Sequence, residues 1–118
     1  MIREARIDEV RKVTEFMKQF EQHTGFVKVD VEHAVKQYER FYATGIGIII
    51  ILEDDNTGEL QGGIGAIALP DIHCGAMTAV ETFWFVSPEH RGNGLKLLKA
   101  FENWGKKKNC KRLALIHL

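Results

Sequence analysis

The arrangement of residues 77–118 constrains the fold more than any other feature of the sequence. Met77 to Val86 is rich in branched and aromatic residues, as is typical of a strand, and Pro88 cannot continue it. From Asn93 or Gly94 to Lys108 the apolar residues recur at helical spacing, and Arg112 to Leu118 is again apolar. A strand, a helix and a second strand in this order predict two parallel strands joined by a crossover.

Two helices are predicted near the N-terminus, after a short strand at Ile2 to Ala5. Asp8 is predicted to cap a first helix that ends at His23-Thr24-Gly25 and carries Val10, Val13, Met17 and Phe20 on its apolar side. Asp30 is predicted to cap a second helix, and Gly45 lies just past its end. The two helices therefore precede most of the predicted sheet.

A β-hairpin is predicted between the helices and residue 77. Ile46 to Leu52 is nearly all β-branched, which favours a central strand buried on both faces. Asp54 to Gly58 is a turn that leads into a partner strand from Leu60 to Leu69, and Pro70 to Ala76 is a loop. The order β-α-α-β-β-β-α-β predicts one α/β (α+β) domain over residues 1–118, with a mixed, mostly antiparallel twisted sheet flanked by helices.

Composition narrows the class of protein. The chain is 45% apolar and 27% charged, as is ordinary for a soluble globular domain, and its longest apolar run, Ile46 to Leu52, is far too short to span a membrane. Its N-terminus is charged from the third residue, unlike a signal peptide, and Cys74 and Cys110 lack the spacing of a zinc site. We expect a cytoplasmic protein with two reduced thiols and no metal.

Charge is distributed unevenly although the net charge is zero. Residues 91–118 carry eight Lys or Arg against the single acid Glu102, whereas residues 1–90 carry eight against fifteen acids. The basic part begins at Arg91-Gly92-Asn93-Gly94, where the predicted strand gives way to the helix. Backbone N–H groups at such a turn can bind phosphate, although two glycines can equally form only a tight turn. The spacing fits neither a Walker loop nor a Rossmann loop.

The segment Val86-x-Pro88-x-x-Arg91-Gly92-x-Gly94, followed by Leu97-Leu98, resembles the acyl-CoA-binding motif of GNAT N-acetyltransferases. The predicted order of elements is similar to that fold over essentially the whole chain. The resemblance implies acetyl transfer from acetyl-CoA, by direct attack, to an amine of a small molecule or protein. It also implies that main-chain groups of Phe85 and Val86 contact the pantetheine arm and that a loop of six residues holds the pyrophosphate: Arg91, Gly92, Asn93, Gly94, Leu95 and Lys96.

Lys96 departs from the family pattern, which usually has Gly or Ala at this position. Its side chain can crowd the pantetheine or neutralise a phosphate, and we favour neutralisation because a lysine at a helix N-terminus is otherwise electrostatically unfavourable. A further departure is the end of the sequence at Leu118. The family usually continues with a helix and a strand pair, so we expect the chain to lack this part. The last strand, whose edge is exposed, is then either part of the product of a longer reading frame or covered by a second subunit, as in a homodimer.

Glu81 is the candidate general base, because it is the only acid in the apolar strand and the family often places a glutamate there. Strict alternation puts it on the face of Phe83 and Phe85. His90 can serve as a minor proton relay, and His73 can contact substrate, but solvated histidines are the simpler interpretation of both. We expect Trp84 and Trp104 to be core or groove aromatics.

Two other functions remain open from the sequence. The first is a CoA-binding or structural module that has lost catalysis. The second is a nucleic-acid-binding domain that uses the basic end, although its lysines share a helix with core residues and no reading motif accompanies them.

Overall fold

Five strands form one sheet in the computed structural model, which describes residues 1–19 and 28–116. The strands are β1 (Ile2–Glu4), β2 (Gly47–Glu53), β3 (Leu60–Pro70), β4 (Met77–Val86) and β5 (Arg112–Ala114). They lie side by side in chain order, antiparallel from β1 to β4 and parallel between β4 and β5. The predicted mixed, mostly antiparallel sheet and its parallel crossover are confirmed.

Three helices cover the two faces of the sheet: α1 (Val10–Gln19), α2 (Val31–Thr44) and α3 (Gly94–Lys107). On the α1–α2 face, Val10, Val13, Val35 and Tyr38 pack against Ile49, Ile51 and Phe83. On the α3 face, Leu97, Phe101 and Trp104 pack against Ile50, Leu52 and Ile64. Because β2 contributes to both cores, its residues 49–52 are at most 4% exposed, which confirms the prediction of a central strand.

The helix caps show where local sequence decided the structure. The Asp30 carboxylate accepts a hydrogen bond from the His33 amide at 3.1 Å, and Gly45 ends α2 at φ +74°, as predicted.

The predicted cap of α1 at Asp8 is wrong. A 3-10 turn at Ile7–Glu9 precedes α1, and the Glu9 carboxylate accepts a hydrogen bond from the Arg6 amide at 2.8 Å. The helical segment is therefore capped at Arg6, two residues earlier than predicted. The predicted end of the first helix, at residues 23–25, lies outside the described residues, as does Phe20.

The last strand is shorter than predicted. Only Arg112, Leu113 and Ala114 pair with β4, so β5 ends at Ala114. Leu115 and Ile116 follow outside the strand. His117 and Leu118 lie outside the described residues. In the described part of the chain no strand pairs with the outer edge of β5, and Leu113 and Ile116 are 45% and 63% exposed. The second subunit expected along this edge stays a prediction.

Within residues 1–19 and 28–116, no helix has the length and apolar character needed to cross a membrane.

Candidate functional site

A β-bulge in the middle of β4 determines which side chains share a face. Phe83 pairs with Gly65 of β3 and Glu81 pairs with the next residue, Ala66, so Thr82 is the extra residue of the bulge. Ala66 belongs to the core of the α3 face, whereas Phe83 belongs to the core of the α1–α2 face. The prediction that Glu81 lies on the side of Phe83 and Phe85 is therefore wrong, because the bulge breaks the two-residue alternation.

β4 continues beyond the end of its partner β5. The parallel pair joins only Thr78–Val80 to Arg112–Ala114, and residues 81–86 of β4 have no partner from β5 in the described chain. Phe85 and Val86 belong to this stretch, are 6% and 7% exposed, and pair with Gly63 and Gly62 of β3. Among the described residues, the β4–β5 pairing therefore ends before Glu81, and the resemblance placed the pantetheine contacts beyond that point.

The predicted phosphate-binding loop, Arg91 to Lys96, is not a separate loop: its first three residues end a 3-10 helix, Pro88–Asn93, and its last three begin α3. The helix start predicted at Asn93 or Gly94 is confirmed, and Pro88 stands in the first turn, where its missing N–H costs little. The Gly94 amide bonds to the Arg91 carbonyl, and the His90 amide bonds to Ser87 O at 2.9 Å. The amides of Gly94 and His90 are therefore already engaged in hydrogen bonds within this compact turn.

The glycines of this turn face open space. A methyl group on Gly92 would meet no atom within 4 Å, and one on Gly94 would come no closer than 3.8 Å to Trp84. Neither glycine has a positive φ. The fold itself therefore does not require glycine at these positions, and bare backbone there suits the close approach of a ligand.

Three cations belong to this turn and to the first two turns of α3. Arg91, Lys96 and Lys99 are all exposed, and no ion pair or side-chain hydrogen bond joins them to any other described residue. The side chain of Asn93, at the start of α3, makes no capping hydrogen bond. Leu95, the fifth residue of the predicted set, is 73% exposed. The positive end of the α3 dipole and three unpaired cations make this region suited to an anion.

Glu81 is 0% exposed and lies directly after the last residue of β4 that pairs with β5. A strand glutamate is often a solvent-facing acid, and the burial of Glu81 excludes this for the present chain. A buried carboxylate next to the opening between two strands can exchange a proton with a group that enters there. Its role as a base stays a prediction.

A groove of about 820 Å³ lies on the α1 side of the end of β4. Its lining residues come from α1, from the start of β3 and from the turn after β4: Arg11, Lys12, Glu15, Phe16, Gln19, Glu59, Leu60, Ser87, Glu89 and His90. The Ser87 hydroxyl lies 2.8 Å from Nδ1 of His90, so that ring nitrogen is engaged and His90 is held at the wall of the groove. The groove and the cationic turn thus flank the end of β4 from two sides.

Other candidate residues are not brought to this end of β4. His73 and Cys74 lie in the turn before Met77, where β4 begins, roughly 30 Å from the turn at Arg91 by the rise of a ten-residue strand. Trp104 is 5% exposed in the core of the α3 face, and Trp84 packs against the same core, as predicted. No three His, Cys, Asp or Glu side chains in the described ranges are grouped so that they could hold a metal ion.

Tyr38, Gly65 and Thr82 were not found by the sequence reasoning. The Tyr38 and Thr82 hydroxyls lie 2.7 Å apart, and a Cβ on Gly65 would stand 2.2 Å from Thr82 Oγ1. The sequence signal that could have revealed the bulge is Gly65, since a glycine inside a strand often marks a bulge or the close approach of another group. No local sequence pattern around Thr82 or Tyr38 predicts their contact, because the two residues are 44 positions apart in the sequence.

Comparison with known families gives one match that covers most of the chain. A sequence model of the acetyltransferase (GNAT) family matches residues 12–118. No sequence among the curated proteins matches at a significant level.

Many solved structures share the fold. A predicted acetyltransferase with acetyl-CoA from Clostridium acetobutylicum superposes with a TM-score of 0.82 at 16% identity, over 98% of this chain and 79% of that one. Glucosamine-6-phosphate N-acetyltransferase from Arabidopsis thaliana gives 0.74 at 18% identity, over 98% and 80%. Ribosomal-protein-alanine N-acetyltransferase from Brucella melitensis gives 0.70 at 16% identity, over 98% and 78%. At these identities the likeness establishes the fold.

Proposed function

The chain belongs to the acetyltransferase (GNAT) family, and from this premise we propose that it transfers an acetyl group from acetyl-CoA to an amine of a small molecule or protein. The observation that carries the proposal is the end of β4, where the pairing with β5 stops at Val80 in the described chain and the strand leads into a turn whose cations form no ion pair with another described residue. One neighbour in fold is an acetyltransferase solved with acetyl-CoA, which supports the choice of donor.

The turn and the first turns of α3 are proposed to hold the diphosphate of acetyl-CoA. Two backbone amides are engaged within the turn, so the first-turn amides of α3 and the cations Arg91, Lys96 and Lys99 supply the remaining attraction. The exposed position of Lys96 suits the neutralisation of a phosphate better than the crowding of the strand edge. The pantetheine arm would then follow the main-chain edge of β4 from Val86 and Phe85 toward Glu81.

Glu81 is proposed to act as the general base of a direct transfer. The neutral amine nitrogen attacks the carbonyl carbon of the thioester, the carbon–sulfur bond breaks, and coenzyme A leaves as a thiolate that takes a proton from solvent. The Glu81 carboxylate accepts the proton that the amine loses. The burial of Glu81 supports this role, since a base shielded from water can serve a group that enters between β4 and β5. We place the reaction in the cytoplasm, in line with the two free thiols of Cys74 and Cys110.

Two measurements test the proposal. Acetyl-CoA and coenzyme A are each added to the purified chain at up to millimolar concentration, and thermal unfolding is followed; a ligand that binds the native state raises the melting temperature. Release of free thiol from acetyl-CoA is then followed with a panel of primary amines, from small diamines to peptides with a free N-terminus or lysine. Stabilisation by acetyl-CoA together with thiol release that depends on one of the amines supports the proposal.

The two negative outcomes have different meanings. Stabilisation without amine-dependent thiol release favours a CoA-binding module that has lost catalysis. Failure of both acetyl-CoA and coenzyme A to change the melting temperature excludes that module and the acetyltransferase together.

A further inference from the structure

A hydrogen bond ties helix α2 to the bulge of β4. The Tyr38 and Thr82 hydroxyl oxygens are 2.7 Å apart, and Tyr38 is only 7% exposed. The rings of Phe41 and Phe83 meet the Tyr38 ring edge-on, with centroids 5.8 Å and 6.3 Å away, and these contacts help to hold the phenol in place. Burial raises the pKa of Tyr38 to about 12, and the charge of Glu81 adds to this in smaller part. The phenol therefore keeps its proton at neutral pH, within electrostatic reach of Glu81.

The bulge decides which face Glu81 occupies. If β4 ran without the extra residue Thr82, Glu81 and Phe83 would project from the same face, and the carboxylate would enter the apolar core of the α1–α2 face. With the bulge, Glu81 projects with Ala66 toward the α3 face. A slip of one residue in this strand would thus remove the carboxylate from the opening beside β5.

Three features hold the bulge in place. Gly65 leaves the space that Thr82 occupies, since a Cβ there would stand 2.2 Å from Thr82 Oγ1. Regular pairing resumes on both sides, at Phe83 with Gly65 and at Glu81 with Ala66. The hydrogen bond from Tyr38 is the contact that reaches Thr82 from outside the sheet.

We propose that Tyr38 is a positioning residue for acetyl transfer: through Thr82 it fixes the bulge that turns Glu81 toward the opening between β4 and β5. The inference rests on the proposed function and adds to it the residue that orients the base. The contacts that Tyr38 makes in the described chain are with Thr82, Phe41 and Phe83, and none of these residues belongs to the cationic turn. Loss of its hydroxyl is therefore expected to lower the rate of the chemical step and to leave acetyl-CoA binding in place.

The test compares Tyr38→Phe and Thr82→Val, which remove the hydrogen bond from either side, with Thr82→Ser, which keeps a hydroxyl. Tyr42→Phe is the matched control, because Tyr42 lies on the same helix and its hydroxyl bonds to Ala5 O at 2.8 Å, away from β4. The measurements are kcat, KM for the amine, Kd for acetyl-CoA and the pH–rate profile. We expect kcat to fall by about tenfold or more in Tyr38→Phe and Thr82→Val, with Kd for acetyl-CoA within about twofold of wild type.

Thr82→Ser is expected to recover most of the rate lost in Thr82→Val, and Tyr42→Phe to keep the wild-type kcat. An unchanged kcat in Tyr38→Phe would overturn the proposal, as would equal losses in Tyr38→Phe and Tyr42→Phe. A second readout does not depend on turnover. The carboxyl carbon signal of Glu81 in NMR spectra is expected to move in Tyr38→Phe and to stay in Tyr42→Phe, and a signal that stays in both variants overturns the proposal even if the wild-type chain acetylates no amine.

Discussion

Glu81 lies opposite Ala66 in the β3–β4 pair, whereas Phe83, two residues further along the same strand, lies opposite Gly65 on the other face. A regular strand would put both residues on one face. The bulge at Thr82 separates them, so that the aromatic ring completes one core and the carboxylate is buried at the edge of the other. The register of β4 against β3 thus determines on which face of the sheet the proposed base lies.

Replacement of Glu81 by Gln tests its role as a base. Gln keeps the size of the side chain and removes its capacity to accept a proton, so we expect kcat to fall about 100-fold while Kd for acetyl-CoA stays within about twofold. Glu102→Gln, on α3, is the control and should behave as wild type. A pH–rate profile that is the same in Glu81→Gln and wild type would remove Glu81 from the mechanism.

The sequence predicted the helices, the sheet and the turn at Arg91 because each leaves a local signal. Capping at Asp30 and Gly45, the β-branched run of β2 and the glycines after β4 all depend on neighbouring residues. The face of Glu81 could not be predicted in the same way. It depends on an extra residue whose place is set by Gly65 and Tyr38, which are distant in sequence from Thr82.

A side chain at Gly94 should obstruct the proposed diphosphate site. A Cβ there has only ordinary contacts with Trp84 and Val86, so the chain itself tolerates it, whereas a ligand that approaches the bare backbone would meet the added side chain. We expect Gly94→Val to weaken acetyl-CoA binding by tenfold or more, measured by calorimetry. Ala43→Val, at an exposed position of α2, carries a similar helix-propensity cost and should leave the affinity unchanged. Equal affinities in the two variants would refute the assignment of the site.

The charge of Lys96 should contribute to acetyl-CoA binding at low salt. An exposed ammonium near a phosphate attracts it modestly, so we expect Lys96→Ala to raise Kd by about three- to tenfold at low ionic strength and by less at high ionic strength. Lys106→Ala, in the last turn of the same helix, is the matched control. If Lys96 crowds the pantetheine instead, Lys96→Ala would bind acetyl-CoA more tightly than wild type.

The space beside Gly65 is required for the bulge and should be sensitive to a single methyl group. In Gly65→Ala the new Cβ would overlap Thr82 Oγ1 and come within 2.8 Å of the Phe83 ring. We expect a loss of about 1–3 kcal/mol in the free energy of unfolding, measured with urea. Gly92→Ala, whose Cβ would meet no atom within 4 Å, should stay within about 0.5 kcal/mol of wild type. A similar stability of both variants would contradict this account of the bulge.

An ion-pair cluster at the start of the chain should make stability depend on acidic pH. Arg3 donates to both carboxylate oxygens of Glu9, at 2.8 Å and 2.7 Å, and its Nε donates to Glu53 at 2.8 Å. These hydrogen bonds from Arg3, aided by the Arg6 amide, lower the pKa of Glu9 from 4.5 to about 2. Arg3 also lowers the pKa of Glu53.

Because the folded state binds the Glu9 proton more weakly than the unfolded state, the stabilisation by Glu9 is complete above about pH 4.5 and is lost as the pH falls toward about 2. Glu9→Gln should cost about 2 kcal/mol at neutral pH and should flatten the decline of stability in this window, measured by urea unfolding at a series of pH values. Glu32→Gln is the control. Glu32 accepts two hydrogen bonds from Arg11, but its side chain is 70% exposed, so its replacement should change the stability much less than Glu9→Gln. Parallel pH curves for wild type and Glu9→Gln would show that Glu9 does not carry the acid sensitivity of the fold.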